Sequence, residues 1–107
     1  MNAAPSRSPI TIRSSGLVYG GRCIFHGYMV GTDGVNDPTV TIRDSVLSSG
    51  GNEVVPAATY DASLKGMNGA TGLRVLCENG LYVDVSCAGS VKVVLYFAPA
   101  EVPIALQ

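Results

Sequence analysis

The single histidine of the chain, His26, lies three residues after Cys23. This Cys-x-x-His spacing occurs among zinc ligands. In a β-strand, however, residues three apart lie on opposite faces, so these two side chains cannot bind one ion unless a bulge intervenes. Because no second histidine is present, we expect no zinc site. We predict instead that His26 is partly buried and makes one hydrogen bond.

A second candidate for metal chemistry is the loop that contains Asp33, Asn36 and Asp37. Oxygen atoms of such side chains are ligands that calcium prefers, but the spacing differs from that of an EF-hand loop. Asp and Asn are also frequent in turns, because their side chains bind nearby backbone groups. Turn formation explains the cluster, so we predict no metal ion and no cofactor.

The residues that hydrolytic catalysis requires in combination are not found together in this sequence. No serine lies in a Gly-x-Ser-x-Gly motif, and His26 is the sole plausible general base. Asp44 and Asp84 could form a glycosidase carboxylate pair, but no tryptophan is present to stack on a sugar ring. The Gly-Gly pairs at 20–21 and 50–51 lack the helix that a phosphate loop requires. We therefore predict a protein that is not an enzyme, with no catalytic residue and no small-molecule substrate.

The composition combines low charge with high apolarity. Of the 107 residues, 14% are charged, against about 25% in a typical domain, and the mean hydropathy is +0.30. A net charge of −1 offers no basic surface for nucleic acid. No apolar run reaches the roughly 20 residues of a membrane span. We expect folding and association to cover the apolar side chains, the alternative being a small monomer with a Ser/Thr/Asn surface.

The three cysteines are an odd number. Cys77 and Cys87 fall on the predicted core face, where the register proposed below pairs neither with another cysteine. This favours buried free thiols and synthesis in a reducing cytoplasm. Residues 1–5 lack the charged start and apolar segment of a secretory signal.

Two apolar runs flank the tripeptide Glu78-Asn79-Gly80 within residues 73–87. Strands that bury one face alternate with period two, and here the apolar positions are all odd-numbered: Leu73, Val75, Cys77, Leu81, Val83, Val85 and Cys87. A three-residue loop with Gly80 in the left-handed conformation pairs Cys77 with Leu81 and puts every odd residue on one face. A two-residue Asn79-Gly80 turn would oppose the apolar face of one strand to the polar face of the other. We therefore predict a β-hairpin with the longer loop, forming a floor for the core.

Other short strands, thirteen glycines and six prolines predict an all-β domain, a single antiparallel sandwich or jelly roll of 7–8 short strands. Besides the hairpin, the predicted strands are 10–13, 22–30, 39–44, 53–55 (stopped by Pro56), a possible one at 58–64, and 91–97, with 17–19 in a connection. In strand 39–44, Val40 and Ile42 are expected to point inward.

Strand 22–30 carries apolar residues on both faces. Simple alternation puts His26, Tyr28 and Val30 with Ile24 on one face, and Cys23, Phe25, Gly27 and Met29 on the other. Such a strand is covered on both sides, by the core and by a neighbouring element or subunit.

The domain organisation follows from these elements. Residues 1–9 form a flexible N-terminal arm, 10–97 the β-sandwich domain and 98–107 an apolar, proline-containing C-terminal tail. The tail either packs on its own sandwich or reaches a neighbouring subunit. The candidate interface residues are Pro5, Pro9, Tyr28, Val30, Val102, Pro103, Ile104 and Leu106.

The order of motifs resembles small β-sandwich proteins of tailed-phage virions. The similar segments are Thr-Val-Thr-Ile-Arg-Asp at 39–44, Asn-Gly-Leu-Tyr-Val at 79–83 and Lys-Val-Val-Leu-Tyr at 92–96. The resemblance implies a jelly-roll-like virion component, often trimeric, serving as a head decoration (cement) protein or as a tail or fibre accessory. It implies no active site.

The leading hypothesis is therefore a non-enzymatic capsid decoration protein. It would be a homo-oligomer, with a trimer favoured, made in the host cytoplasm, located in the virion and bound to the major capsid protein, with no nucleic-acid or membrane partner. The alternative is a tail or fibre module that binds host-surface glycan or another tail protein. A small hydrolase that uses His26 is a third hypothesis.

Overall fold

The computed structural model describes residues 9–63 and 68–100, and this part of the chain forms eight β-strands in two antiparallel sheets. The strands are β1 Ile10–Ile12, β2 Gly16–Tyr19, β3 Cys23–Thr32, β4 Thr39–Asp44, β5 Asn52–Thr59, β6 Asn68–Cys77, β7 Leu81–Ser86 and β8 Val91–Pro99. The predicted all-β sandwich is confirmed. Within the same residues there is no helix with the length and apolarity to span a membrane.

The strand order identifies the topology. One sheet has the order β1-β8-β3-β6 and the other β2-β7-β4-β5. The pairs β1·β8, β2·β7, β3·β6 and β4·β5 each join strands that are equally far from the middle of the chain. The chain is thus one long double-stranded hairpin rolled into two sheets, which is the jelly roll.

The core lies between the two sheets. β8 supplies Val93, Leu95 and Phe97, all at most 1% exposed, in the alternation that its sequence predicts. Val40 and Ile42 of β4 are fully buried, also as predicted. The fully buried residues from the remaining strands are Cys23, Phe25, Val30, Cys77, Leu81 and Val83.

The predicted hairpin of residues 73–87 is wrong in its pairing. β6 pairs with β3 in one sheet and β7 pairs with β2 and β4 in the other, so 78–80 is a crossing between sheets. Gly80 has an extended φ of 158° rather than a left-handed one. Because the two sheets face one core, strands in opposite sheets show the same apolar alternation as a hairpin would. Cys77, Leu81 and Val83 are buried as predicted, but Val75 is 36% exposed.

The predicted faces of β3 are also wrong, because a bulge interrupts the strand. The register to β6 and β8 shifts between Phe25 and Gly27. Cys23 and Phe25 before the shift, and Tyr28 and Val30 after it, therefore all point into the core. Only glycine fits at the bulge, since a Cβ on Gly27 would lie 2.5 Å from the carbonyl oxygen of Ala70.

Two shorter segments differ from prediction as well. Residues 17–19 belong to strand β2 rather than to a connection. β5 continues through Pro56 to Thr59, because its pairing with β4 skips a position between Val55 and Ala58. A proline is tolerated there, since β5 is an edge strand and needs no backbone donor at the irregularity.

The last strand is longer than predicted. β8 includes Ala98 and Pro99, which the sequence placed in the tail, and Pro99 pairs with Cys23. Among the described residues, β1 pairs with Val93 to Leu95 of β8, so within this part of the chain Pro99 has a strand neighbour on the β3 side alone. The rest of the predicted tail, 101–107, lies outside the described residues.

Candidate interaction surface

The outer face of the β1-β8-β3-β6 sheet is apolar. Ile24 of β3 lies between Leu76 of β6 and Ala98 of β8, and Met29 is opposite Val94. Five side chains of β3, β6 and β8 point away from the core: Ile24, Met29, Leu76, Val94 and Tyr96. We call this set the apolar outer face. All are partly exposed, Leu76 to 44%.

Charged groups lie at the ends of the apolar outer face, where Arg22 Nε and Glu78 Oε1, next in register after Cys23 and Cys77, form an ion pair of 3.0 Å. Lys92 is the one charged residue in the paired register of this sheet, opposite Gly31, and Arg74 lies in the irregular part of β6. No third layer of strands covers this face in residues 9–63 and 68–100. The prediction that β3 carries apolar residues on both sides is therefore correct, although the residues on each side differ from those expected.

The outer face of the β2-β7-β4-β5 sheet is polar at its centre, with Leu17 of β2, 50% exposed, opposite Tyr82. Arg43 of β4 is paired with Tyr82 on one side and Glu53 on the other. Its Nε donates to Asp84 Oδ2 at 2.6 Å, and its Nη1 lies 3.7 Å from Glu53 Oε2. Ser48 Oγ donates to Asp84 Oδ1 at 2.5 Å. This face therefore carries an ion-pair network across its central strands, where the opposite face carries apolar and aromatic side chains.

The environment of Asp84 shows how that network is held. Partial burial raises the pKa of Asp84, but hydrogen bonds from Ser48 and Arg43 outweigh it and hold the pKa below its ordinary value. The carboxylate therefore stays ionised and paired with Arg43 at neutral pH. Both oxygens of the Asp84 carboxylate are thus occupied by hydrogen bonds, from Arg43 and from Ser48.

Asp44, the other aspartate considered for a glycosidase carboxylate pair, binds backbone N–H groups. Its Oδ1 accepts hydrogen bonds from the N–H groups of Asn79 at 2.7 Å and Gly80 at 3.3 Å, and its Oδ2 accepts one from Glu78 at 3.0 Å. The side chain is 9% exposed. Asp44 thus stabilises residues 78–80, where the chain crosses from one sheet to the other.

The predicted interface residues are placed as follows. Tyr28 is 8% exposed and Val30 is fully buried, so both belong to the core and offer no surface to a partner, because the bulge turns them inward. Pro9 is exposed. Pro5, Val102, Pro103, Ile104 and Leu106 lie outside the described residues. Sequence reasoning missed Ile24, Met29 and Leu76, and the signal that could have found them was Gly27 as a bulge position.

His26 is half-buried, and its Nδ1 lies 3.1 Å from the carbonyl oxygen of Leu73. That distance and partner require the Nδ1 atom to donate, so this nitrogen carries a proton. Cys23 lies in the core, away from the His26 face. Among the described residues no group of three His, Cys, Asp or Glu side chains could hold a metal ion.

The loop considered for calcium is closed by its own hydrogen bonds. Asp33 accepts from the backbone and side chain of Asn36 at 2.7 and 2.8 Å, from Val35 N at 2.8 Å and from Ser90 N at 3.1 Å. These bonds, those of Asn36 first, hold the pKa of Asp33 well below its ordinary value. Asp37 accepts from Ala62 N at 2.8 Å. The bonds of Asp33 to Val35 and Asn36 are the local ones that turn formation predicts, whereas those to Ser90 and of Asp37 to Ala62 join this loop to distant segments and were not predicted.

A groove of about 280 Å³ lies beside that loop. It is lined by Gly31, Thr32, Ser90, Val91 and Lys92. The lining contains one charged group and no aromatic ring. It offers neither a nucleophile–base pair nor a stacking platform.

The fold of residues 9–63 and 68–100 defines the class of protein, an eight-stranded jelly roll whose two outer faces differ in polarity. Comparison with known protein families, with curated proteins and with solved structures yields no match for this chain.

Proposed function

We propose that this protein is a non-enzymatic structural component of a tailed-phage virion, a capsid decoration protein that binds the major capsid protein as a homo-oligomer. The observation that carries the proposal is the contrast between the two outer faces of the sandwich. Ile24, Met29, Leu76, Val94 and Tyr96 form an apolar patch on one side, while Arg43, Glu53 and Asp84 form ion pairs on the other. Apolar patches on one side of a soluble domain mark interaction sites.

The apolar outer face is the surface that neighbouring copies bury in this proposal. Covering a large apolar side chain contributes about 1.5–3 kcal/mol, so several half-exposed residues in each copy favour association. The polar face would then remain toward solvent, where Arg43 keeps its hydrogen bond to Asp84. A trimer agrees with the family that the sequence resembles.

The resemblance to β-sandwich proteins of tailed-phage virions is the reason for proposing the capsid as partner. A decoration protein needs a stable scaffold and complementary surfaces rather than a cleft, and the groove beside the Asp33 loop has neither a nucleophile–base pair nor an aromatic ring in its lining. Low charge also favours broad contacts with another protein shell over binding to nucleic acid.

The experiment compares one residue type on the two faces. Tyr96 lies on the apolar outer face and Tyr82 on the polar one, and both are half-buried strand residues. We expect light scattering of the wild-type chain at micromolar concentration to give a mass above that of a monomer. Tyr96→Lys should reduce the mass to a monomer, and Tyr82→Lys should leave it unchanged.

Capsid binding is measured separately, by co-sedimentation with heads assembled from the major capsid protein alone. Wild type and Tyr82→Lys should sediment with the heads, and Tyr96→Lys should sediment less. A monomeric wild-type chain that also fails to bind heads contradicts the proposal. Binding to a glycan array without binding to heads would favour the tail or fibre alternative.

A further inference from the structure

Cys23 of β3 and Cys77 of β6 lie directly opposite each other in neighbouring antiparallel strands. Both side chains are fully buried, and both are free thiols. Directly opposed residues in such a pair have Cα atoms about 4.5 or 5.5 Å apart, depending on the position in the ladder. Both values fall within the roughly 4.4–6.8 Å that a disulfide requires. The backbone is therefore already in position for a bond.

The two thiols influence one another: interaction with Cys23, together with burial, raises the pKa of the Cys77 thiol. The third cysteine is separate, since Cys87 Sγ lies 3.8 Å from the carbonyl oxygen of Asn36, beside the β3–β4 loop. Only one pair of thiols in the described residues is thus arranged for bonding.

We infer that Cys23 and Cys77 form a cross-strand disulfide when the chain meets a disulfide oxidant such as oxidised glutathione. One thiol loses its proton and attacks the oxidant, forming a mixed disulfide and releasing one reduced glutathione. The second thiolate attacks the mixed disulfide at the protein sulfur and releases the second glutathione. Two protein thiols become one disulfide, and one oxidised glutathione becomes two reduced ones.

Access to the buried thiols comes through the edge strand. Among the described strands, β6 is the outer one of its sheet and pairs with β3, and several of its residues are exposed. Edge strands open locally at lower free energy than central ones. The bond would then join β6 covalently to the central strand β3 after the chain leaves a reducing compartment. The same bond would form whether or not the protein decorates a capsid.

The test uses full-length Cys87→Ser, in which Cys23 and Cys77 are the remaining cysteines. The purified protein is unfolded, refolded with excess oxidised glutathione and compared with a sample kept in reductant. We expect a chain that is lighter by two hydrogen atoms and not covalently joined to another copy, with no thiol left for alkylation after denaturation. Its thermal unfolding midpoint should rise by about 10 °C or more and return when reductant is added.

The matched control is the double variant Cys23→Ser, Cys87→Ser, which should show no change in midpoint. Two persistent thiols, two glutathione adducts, a cross-linked dimer or a lowered midpoint in Cys87→Ser would each overturn the inference. So would a bond to Cys87 in the wild-type chain, identified by peptide mass mapping.

Discussion

The Oδ1 atom of Asp44 lies 3.3 Å from the backbone nitrogen of Gly80, and this hydrogen bond marks the point where the chain leaves one sheet for the other. Asn79 and Glu78 donate to the same carboxylate. One buried side chain at the end of β4 thus satisfies three successive N–H groups that have no strand partner. The crossing depends on Asp44 as much as on the apolar residues that flank it.

Replacing Asp44 tests that dependence. Asp44→Ala should lower the free energy of unfolding by about 2–3 kcal/mol, because it removes charge-assisted hydrogen bonds and leaves buried donors unsatisfied. Urea unfolding followed by circular dichroism measures the loss. Asp61→Ala should have a much smaller effect, because Asp61 is exposed and its hydrogen-bond partner among the described residues is the neighbouring Ser63. A loss below about 1 kcal/mol for Asp44→Ala would show that the crossing holds without it.

Gly80 itself has no room for a side chain. A Cβ there would lie 2.8 Å from the carbonyl oxygen of Tyr19 and 2.9 Å from that of Ser45. Gly80→Ala should therefore destabilise the fold by about 1–3 kcal/mol through overpacking. Gly16→Ala is the matched control, since a Cβ on Gly16 meets nothing within 4 Å. Equal thermal midpoints for the two variants would contradict the prediction.

Acid should weaken the fold partly through Asp33. Because its pKa is lowered in the folded chain, its contribution to stability is present above its ordinary pKa of about 4 and is lost as pH falls through the folded value. In urea titrations at decreasing pH, Asp33→Asn should lose stability less steeply than wild type. Asn36→Ala keeps the carboxylate but removes one donor, so its slope should be intermediate. Identical slopes in all three proteins would exclude this role for Asp33.

High pH should lower the stability of the fold partly through Tyr60. Its hydroxyl lies 2.7 Å from that of Tyr28, and burial together with this hydrogen bond raises the pKa of Tyr60. The stabilising effect is complete below the ordinary pKa of about 10 and is lost as pH rises above it. Tyr60→Phe should flatten this alkaline loss, measured by thermal unfolding with tyrosinate absorbance as a second signal. A loss as steep as in wild type would refute the prediction.

Sequence reasoning succeeded where alternation alone determines the structure. Residues 39–44 and 91–97 alternate without interruption, and their inward residues Val40, Ile42, Val93 and Leu95 are buried as predicted. It failed where an irregularity changes the register. Gly27 and Pro56 mark such positions, but neither residue reveals by its type alone that a position is skipped.

The hairpin error has another cause. Apolar alternation reports which face of a strand is buried, but not which strand lies beside it. Leu81 and Cys77 meet the same core from opposite sheets, so their spacing satisfies both arrangements. The apolar outer face is harder still to predict, because simple alternation divides the residues of β3 between its two faces without the bulge at Gly27. Recognition depends on the surfaces of both partners, and the sequence of this chain describes one of them.

The rolled order of the strands also governs how fast the protein can fold. Of the six strand pairs, only β4·β5 joins neighbours in sequence. The others close long loops, and β1·β8 joins the two ends of the described chain. Because closing long loops loses entropy before contacts form, such topologies fold in milliseconds to seconds. We expect the β4–β5 hairpin to form first and the pairing of β1 with β8 to complete the fold.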